Sequence, residues 1–140
     1  MSLFRILDIS ATGMSAQSVR LNTTASNLAN ANSVSSSSEK TYRARHPVFA
    51  AELNKAKGAL SSSGVGVKVL GIVESDAPLA REYAPNSPSA DKDGFVYHSN
   101  VNVMEEMANM ISASRSYQTN VQIADAAKQM LSRTLQMGKG

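Results

Sequence analysis

Side chains that could do chemistry are few in this chain of 140 residues, and they stand apart from one another. His46 and His98 are the only histidines, and there is no Cys. Because structural zinc sites are built from His and Cys, we expect both histidines on strand surfaces rather than at a metal. Asp91, Asp93 and Gly94 resemble the start of a calcium loop, but that loop has Gly at its sixth position, and this Gly comes too early. A hairpin turn is predicted there instead.

The remaining candidates for a catalytic site have equally plain interpretations. The segment 64–66, Gly-Val-Gly, lacks the following helix that a phosphate-binding loop needs. Serines at 35–38 and 61–63 have no neighbouring base in the sequence and indicate linkers. Glu105 and Glu106 could form an acid pair, but consecutive helical residues point about 100° apart, so they are predicted to be charges in a first helical turn. These residues predict neither an enzyme nor a cofactor or metal site.

The two ends of the chain carry a seven-residue repeat that is typical of helices packed lengthwise. The first repeat consists of Leu7, Met14, Leu21 and Leu28, with Ala11, Ser18 and Ala25 beside it. The second consists of Val103, Met110, Tyr117, Ala124 and Leu131, with Met107, Ser114, Val121, Lys128 and Leu135 on the adjoining row. A narrow apolar stripe cannot bury itself alone. The two ends are therefore predicted to pair as an antiparallel coiled coil.

Helix-start signals set the expected limits of these two helices. The first is predicted over residues 3–30 with Ser2 as its cap, and the second over residues 102–136 with Asn102 or Asn100 as its cap. Asn22, Asn27, Asn30 and Asn32 make the end of the first helix unusually polar. A solvated helix end and an interface between subunits both explain this polarity, because short amides can pair across closely packed helices.

The middle of the chain has the period-two alternation of strands. Alternation over residues 41–53 predicts a strand, which Pro47 allows only at a sheet edge or as an interrupted strand. Further strands are predicted over residues 65–73, 81–83 and 95–98. The fold class is therefore α+β: an N-terminal helix in 1–32, a β-rich middle segment with mobile linkers in 33–102, and a C-terminal helix in 103–140.

Charge and hydropathy exclude several kinds of partner. The net charge of +3 is spread evenly, at +1 for each of the three segments, so no basic face is available for nucleic acid. No stretch approaches the roughly 20 apolar residues of a membrane span. Arg5 and Asp8 interrupt the apolar run at the N-terminus, so a cleaved secretory signal is not expected.

Several segments resemble a known family. Ala16-Gln17, Leu21-Asn22 and residues 25–33, ASNLANANS, are similar to the N-terminal signature of bacterial flagellar axial proteins of the rod and hook class, in which a Tyr-basic-Ala strand follows, as Tyr42-Arg43-Ala44 does here. Residues 90–120, which include MEEMANMISASRSYQTN, narrow the resemblance to basal-body rod proteins of the C type. Ser26 stands where many relatives have Asn, and Asn102 where Asp is usual.

The resemblance implies a structural subunit of the proximal rod in the flagellar basal body. Such subunits polymerise through their terminal helices into a drive shaft that transmits torque and surrounds the export channel, with the β segment outside. They cross into the periplasm through the flagellar type III export apparatus without a cleaved signal peptide. The partners implied are other flagellar rod proteins, the rod-base adaptor and inner-membrane ring, and the distal rod.

The stripes and the Asn-rich helix end supply the residues expected at the subunit interface. These are Leu21, Asn27, Leu28, Asn30, Met107, Met110, Ser114, Tyr117, Val121 and Leu131. The alternative function is a cytosolic helical-hairpin adaptor or regulator that dimerises through the same helices.

Overall fold

A computed structural model describes residues 3–52 and 65–138 and has the α+β architecture predicted from the sequence. The elements in chain order are α1 (Leu3–Ala29), β1 (Val34–Ser35), β2 (Arg45–Glu52), β3 (Gly66–Glu74), β4 (Arg81–Tyr83), β5 (Phe95–His98) and α2 (Val103–Met137). The predicted cap at Ser2 and the predicted linker at serines 61–63 lie outside the described residues.

Helices α1 and α2 pack against each other in opposite directions. Arg20 Nη2 donates to Asn109 Oδ1 over 2.8 Å. Farther toward the start of α1, a methyl carbon added to Gly13 would lie 2.8 Å from Asn120 Nδ2. Residues nearer the N-terminus of α1 therefore contact residues nearer the C-terminus of α2, so the two helices are antiparallel. The missing side chain at Gly13 allows the helices to approach closely at this point.

The fully buried side chains of the two helices are mostly small or polar, and those of α1 lie against the β2–β3 sheet as well as α2. On α1 the buried residues are Ser10, Ala16, Thr23, Thr24 and Asn27, and on α2 they are Glu106, Ala113 and Ala127. The buried row of α2 lies one residue before the predicted adjoining row, whose members Met107, Lys128 and Leu135 are exposed. Ala11, Ser18 and Ala25 of α1 are exposed as well. Ser114 and Val121 of the adjoining row are half-buried, and the pairing of the two helices as a coiled coil remains a prediction.

The strands form two antiparallel sheets. Strands β2 and β3 pair along their length, with a register shift between Val48 and Phe49, and this sheet packs on α1. The other sheet has the order β1-β5-β4. The strands predicted over 81–83 and 95–98 are confirmed, and the edge position predicted for Pro47 is confirmed in β2 of the two-stranded sheet.

Two local expectations in the middle segment had different outcomes. The hairpin turn predicted at Asp91 is confirmed: its Oδ1 accepts from the backbone N–H groups of Asp93 and Phe95, and Gly94 has φ +80°. The first serine-rich segment was predicted to be a mobile loop, but Val34 and Ser35 pair with β5. The sequence prediction missed this strand because its pairing partner lies far along the chain.

Asn102 caps α2, as predicted, and provides a first test. Its Oδ1 accepts from the backbone N–H of Met104 at 3.1 Å and of Glu105 at 3.4 Å. Asn102→Ala leaves both donors without this acceptor, so we expect the free energy of unfolding, measured by urea titration, to fall by about 1 kcal/mol. Asn102→Asp keeps the acceptor and should unfold like the wild type. Equal stability of the Ala and Asp variants would show that the cap contributes nothing.

Candidate subunit interface

The described residues offer little for catalysis. Residues 3–52 and 65–138 contain no group of three or more His, Cys, Asp or Glu side chains placed to hold a metal ion. No helix in these two ranges is both long enough and apolar enough to cross a bilayer. An open polar groove of about 600 Å³ lies beside the end of α1. The candidate functional surface is therefore formed by exposed side chains.

Asn27 joins the end of α1 to the start of β2. Its side chain is fully buried. Its Nδ2 donates to the backbone carbonyl of Arg45 over 2.8 Å, and its Oδ1 accepts from the Arg45 N–H and from the Tyr42 hydroxyl, both at 2.9 Å. The amide of Asn27 is therefore engaged within its own chain, and its contact with a neighbouring subunit remains a prediction.

Asn30 terminates α1 locally. Its Nδ2 donates to the backbone carbonyl of Ser26 over 2.8 Å, and its own carbonyl accepts from the N–H and the hydroxyl of Ser33. The bonds from Ser33 give the Asn30 carbonyl a partner where the helix ends, and the Ser26 carbonyl accepts from both the N–H and the Nδ2 of Asn30. Asn30 stays partly exposed, so its contact with a neighbouring subunit remains a prediction.

A second asparagine, Asn100, connects the segment before α2 to the middle of the chain. Its Oδ1 accepts from the Ala44 N–H over 2.7 Å, and its Nδ2 donates to the Ala77 carbonyl over 2.9 Å. The sequence indicated Asn100 only as an alternative helix cap. The position of Asn100 between a strand and a helix is a signal that its side chain could link two elements. The sequence does not indicate which residues it binds, because Ala44 and Ala77 lie far from it along the chain.

The buried apolar core is small. Its fully buried members among the described residues are Ala16, Ala44, Val96, Ala113 and Ala127. The large apolar side chains lie mainly on the outside, and on the two helices those exposed are Phe4, Val103, Met104, Met107, Ile111, Tyr117, Ile123, Met130, Leu135 and Met137. An exposed apolar surface of this extent marks a site of interaction with another macromolecule.

The other predicted interface residues differ in exposure. Met107 and Tyr117 are exposed, whereas the remaining members are half-buried: Leu21, Leu28, Met110, Ser114, Val121 and Leu131. All of them keep some surface free for a neighbour. Sequence reasoning did not single out the exposed apolar residues of the β2–β3 sheet, which include Leu70, Ile72 and Val73.

Comparison with known proteins agrees with the resemblance seen in the sequence. A family model described as flagella basal body rod protein matches residues 7–35, and one described as flagellar basal body rod FlgEFG protein C-terminal matches residues 92–137. Proteins named flagellar basal-body rod protein FlgC are similar along their whole length. The relative from Escherichia coli O6:H1 is 46% identical over 139 residues, and that from Salmonella typhimurium is 44% identical. The Bacillus subtilis relative is 32% identical, and each alignment covers 99% of this chain and 100% of the relative.

Proposed function

The chain belongs to the FlgC family of flagellar basal-body rod proteins, and from this premise we propose that it polymerises through its terminal helices into the proximal rod. The observation that carries the proposal is the exposed apolar surface of α2, to which α1 adds Phe4. A chain that buries mainly Ala within itself and exposes Met, Ile, Leu and Phe gains burial by packing against other subunits. In the rod, the subunit would transmit torque and help to enclose the export channel.

The proposed helical layer is an antiparallel coiled coil whose flanks contact neighbouring subunits. The reversed direction of the contacts between α1 and α2 supports it. The proposed contact residues are Leu21, Leu28, Asn30, Met107, Met110, Ser114, Tyr117, Val121 and Leu131. Because a helical polymer repeats each contact in every copy, modest burial at each position sums to a stable shaft.

The three segments of the chain are proposed to occupy different positions in the rod. Residues 1–32 and 103–140 form the inner helices, and residues 33–102 pack outside them. The proposed neighbours are other rod proteins, the rod-base adaptor and inner-membrane ring, and the distal rod. Passage through the type III export apparatus requires an unfolded chain, and a chain without Cys carries no disulfide that would resist unfolding.

Fractionation of flagellated cells tests the proposal. Purified basal bodies that retain the rod should contain the chain, detected by mass spectrometry of its peptides, and the cytosolic fraction should be depleted of it. A cytosolic adaptor would show the reverse distribution. Recovery of the chain only from the cytosol, beside basal bodies with complete rods, would contradict a rod subunit.

A further inference from the structure

The three-stranded sheet β1-β5-β4 lies apart from the other elements of the fold. Within residues 3–52 and 65–138, no Cα atom of its strands lies within 8 Å of one in α1, α2, β2 or β3. The chain passes between this sheet and the other elements four times, through residues 30–33, 36–44, 75–80 and 99–102. The angle between the sheet and the helix pair is therefore set by these four connecting segments.

Two side chains tie three of the connecting segments together. Asn100 Oδ1 accepts from the Ala44 N–H over 2.7 Å. Asn100 Nδ2 donates to the carbonyls of Ala77 at 2.9 Å and Ser75 at 3.4 Å. Arg43 Nη1 donates to the same two carbonyls, at 3.2 Å to Ser75 and at 3.4 Å to Ala77. Side chains from two different segments thus converge on one short stretch of backbone in a third.

Two backbone hydrogen bonds complete the junction. The Ser75 N–H donates to the Ala44 carbonyl over 2.7 Å, and the Ser99 N–H donates to the Ser33 carbonyl over 3.2 Å. Neither bond joins the last segment to the middle two. Among the described residues, every hydrogen bond that makes this connection comes from the Asn100 side chain. Removing this one amide therefore leaves the last segment without a hydrogen bond to the middle two.

An amide that is bonded at both ends fixes direction as well as distance. Hydrogen bonds weaken steeply when donor and acceptor are misaligned, so bonds from one planar amide to two segments allow only a narrow range of angles between them. Each such bond contributes little net stability, because water replaces it when it breaks. Loss of the amide should therefore free the angle of the sheet without unfolding either part of the chain.

We propose that Asn100, assisted by Arg43, is a clasp that holds the three-stranded sheet at one angle to the helix pair, and that the sheet turns about the four connecting segments when the clasp is removed. Such a turn is a hinge motion, in which a few residues at the ends of elements absorb the change in backbone angles. Both sheets and the helix pair keep their internal pairing. The clasp belongs to the single chain and acts in whichever assembly the chain enters.

Distances between paired spin labels test the clasp. The natural chain has no Cys, so labels can be attached at Lys92→Cys, on the turn before β5, and at Ala108→Cys, on the exposed side of α2. In the otherwise wild-type chain, the distance distribution from double electron–electron resonance should have one narrow maximum. Asn100→Ala should make it at least about twice as wide, and Arg43→Met should widen it less, because Asn100 still joins the segments.

Two controls separate a turning sheet from a general loss of structure. Labels at Ser18→Cys and Ala108→Cys report on the helix pair, and their distribution should not change with Asn100→Ala. Asn86→Ala removes an exposed amide between β4 and β5 and should leave the Lys92–Ala108 distribution as narrow as before. An unchanged Lys92–Ala108 distribution in Asn100→Ala would overturn the proposal. A helix pair that unfolds in this variant, or whose distribution widens equally, would overturn it as well.

Discussion

Asn27→Ala should be among the most damaging single substitutions in this chain. It removes the partner of the Arg45 N–H, the Arg45 carbonyl and the Tyr42 hydroxyl in a site that is closed to solvent. Each buried polar group left without a partner costs roughly 1–3 kcal/mol. We therefore expect the free energy of unfolding, from urea titration followed by circular dichroism, to fall by about 3 kcal/mol or more, and rods to be incomplete.

Two further variants show whether this loss comes from the hydrogen bonds. Asn32→Ala removes an exposed amide just beyond the same helix and should change the stability by less than about 0.5 kcal/mol. Tyr42→Phe removes one of the Asn27 bonds and should lie between the two, at about 1 kcal/mol. Asn27→Ala with the stability of Asn32→Ala would contradict the role of Asn27 as the link between α1 and β2.

Ala113→Leu should separate the two helices. Ala113 is fully buried on the face of α2 that meets α1, and the close approach at Gly13 leaves little room in this seam for added carbons. Overpacking a filled site costs roughly 1–3 kcal/mol, and the helix displacement that relieves it would move every flanking side chain. We expect the stability to fall by that amount and rod assembly to fail.

Ala108→Leu is the matched control for this substitution. Ala108 lies on the same helix but is exposed, so the same added carbons extend into solvent or toward a neighbouring subunit. Its stability should stay within about 0.5 kcal/mol of the wild type. If Ala113→Leu also unfolds like the wild type, the described seam is not the packed face of α2.

Local signals in the sequence were enough to predict every element of the fold except β1. Asn102 as a cap, the turn at Asp91 and the strand at Arg81–Tyr83 each follow from the preferences of a few adjacent residues, and the structure has all three. The helix seam was not predictable in the same way. The fully buried positions of α2 are Glu106, Ala113 and Ala127, whereas the repeat residues Met110 and Leu131 are only half-buried, so the apolar repeat did not identify the buried positions.

Features that depend on distant residues escaped sequence reasoning. Three such features join residues far apart along the chain. Val34 pairs with His98, Asn27 is buried against Arg45, and Glu106 is buried beside a cavity that Arg20 and Arg45 also line. An asparagine or a glutamate on a helix has the same sequence signature whether its side chain meets water, its own chain or another subunit. Only the tertiary structure separates these cases.

Electron cryomicroscopy of basal bodies from a strain that lacks this chain tests the central claim most directly. If the chain is a subunit of the proximal rod, the rod should be missing or stop near its base in the deletion strain. Supplying the wild-type chain in trans should then restore a full-length rod. A complete rod in the absence of the chain would contradict the claim that the chain is a subunit of that shaft.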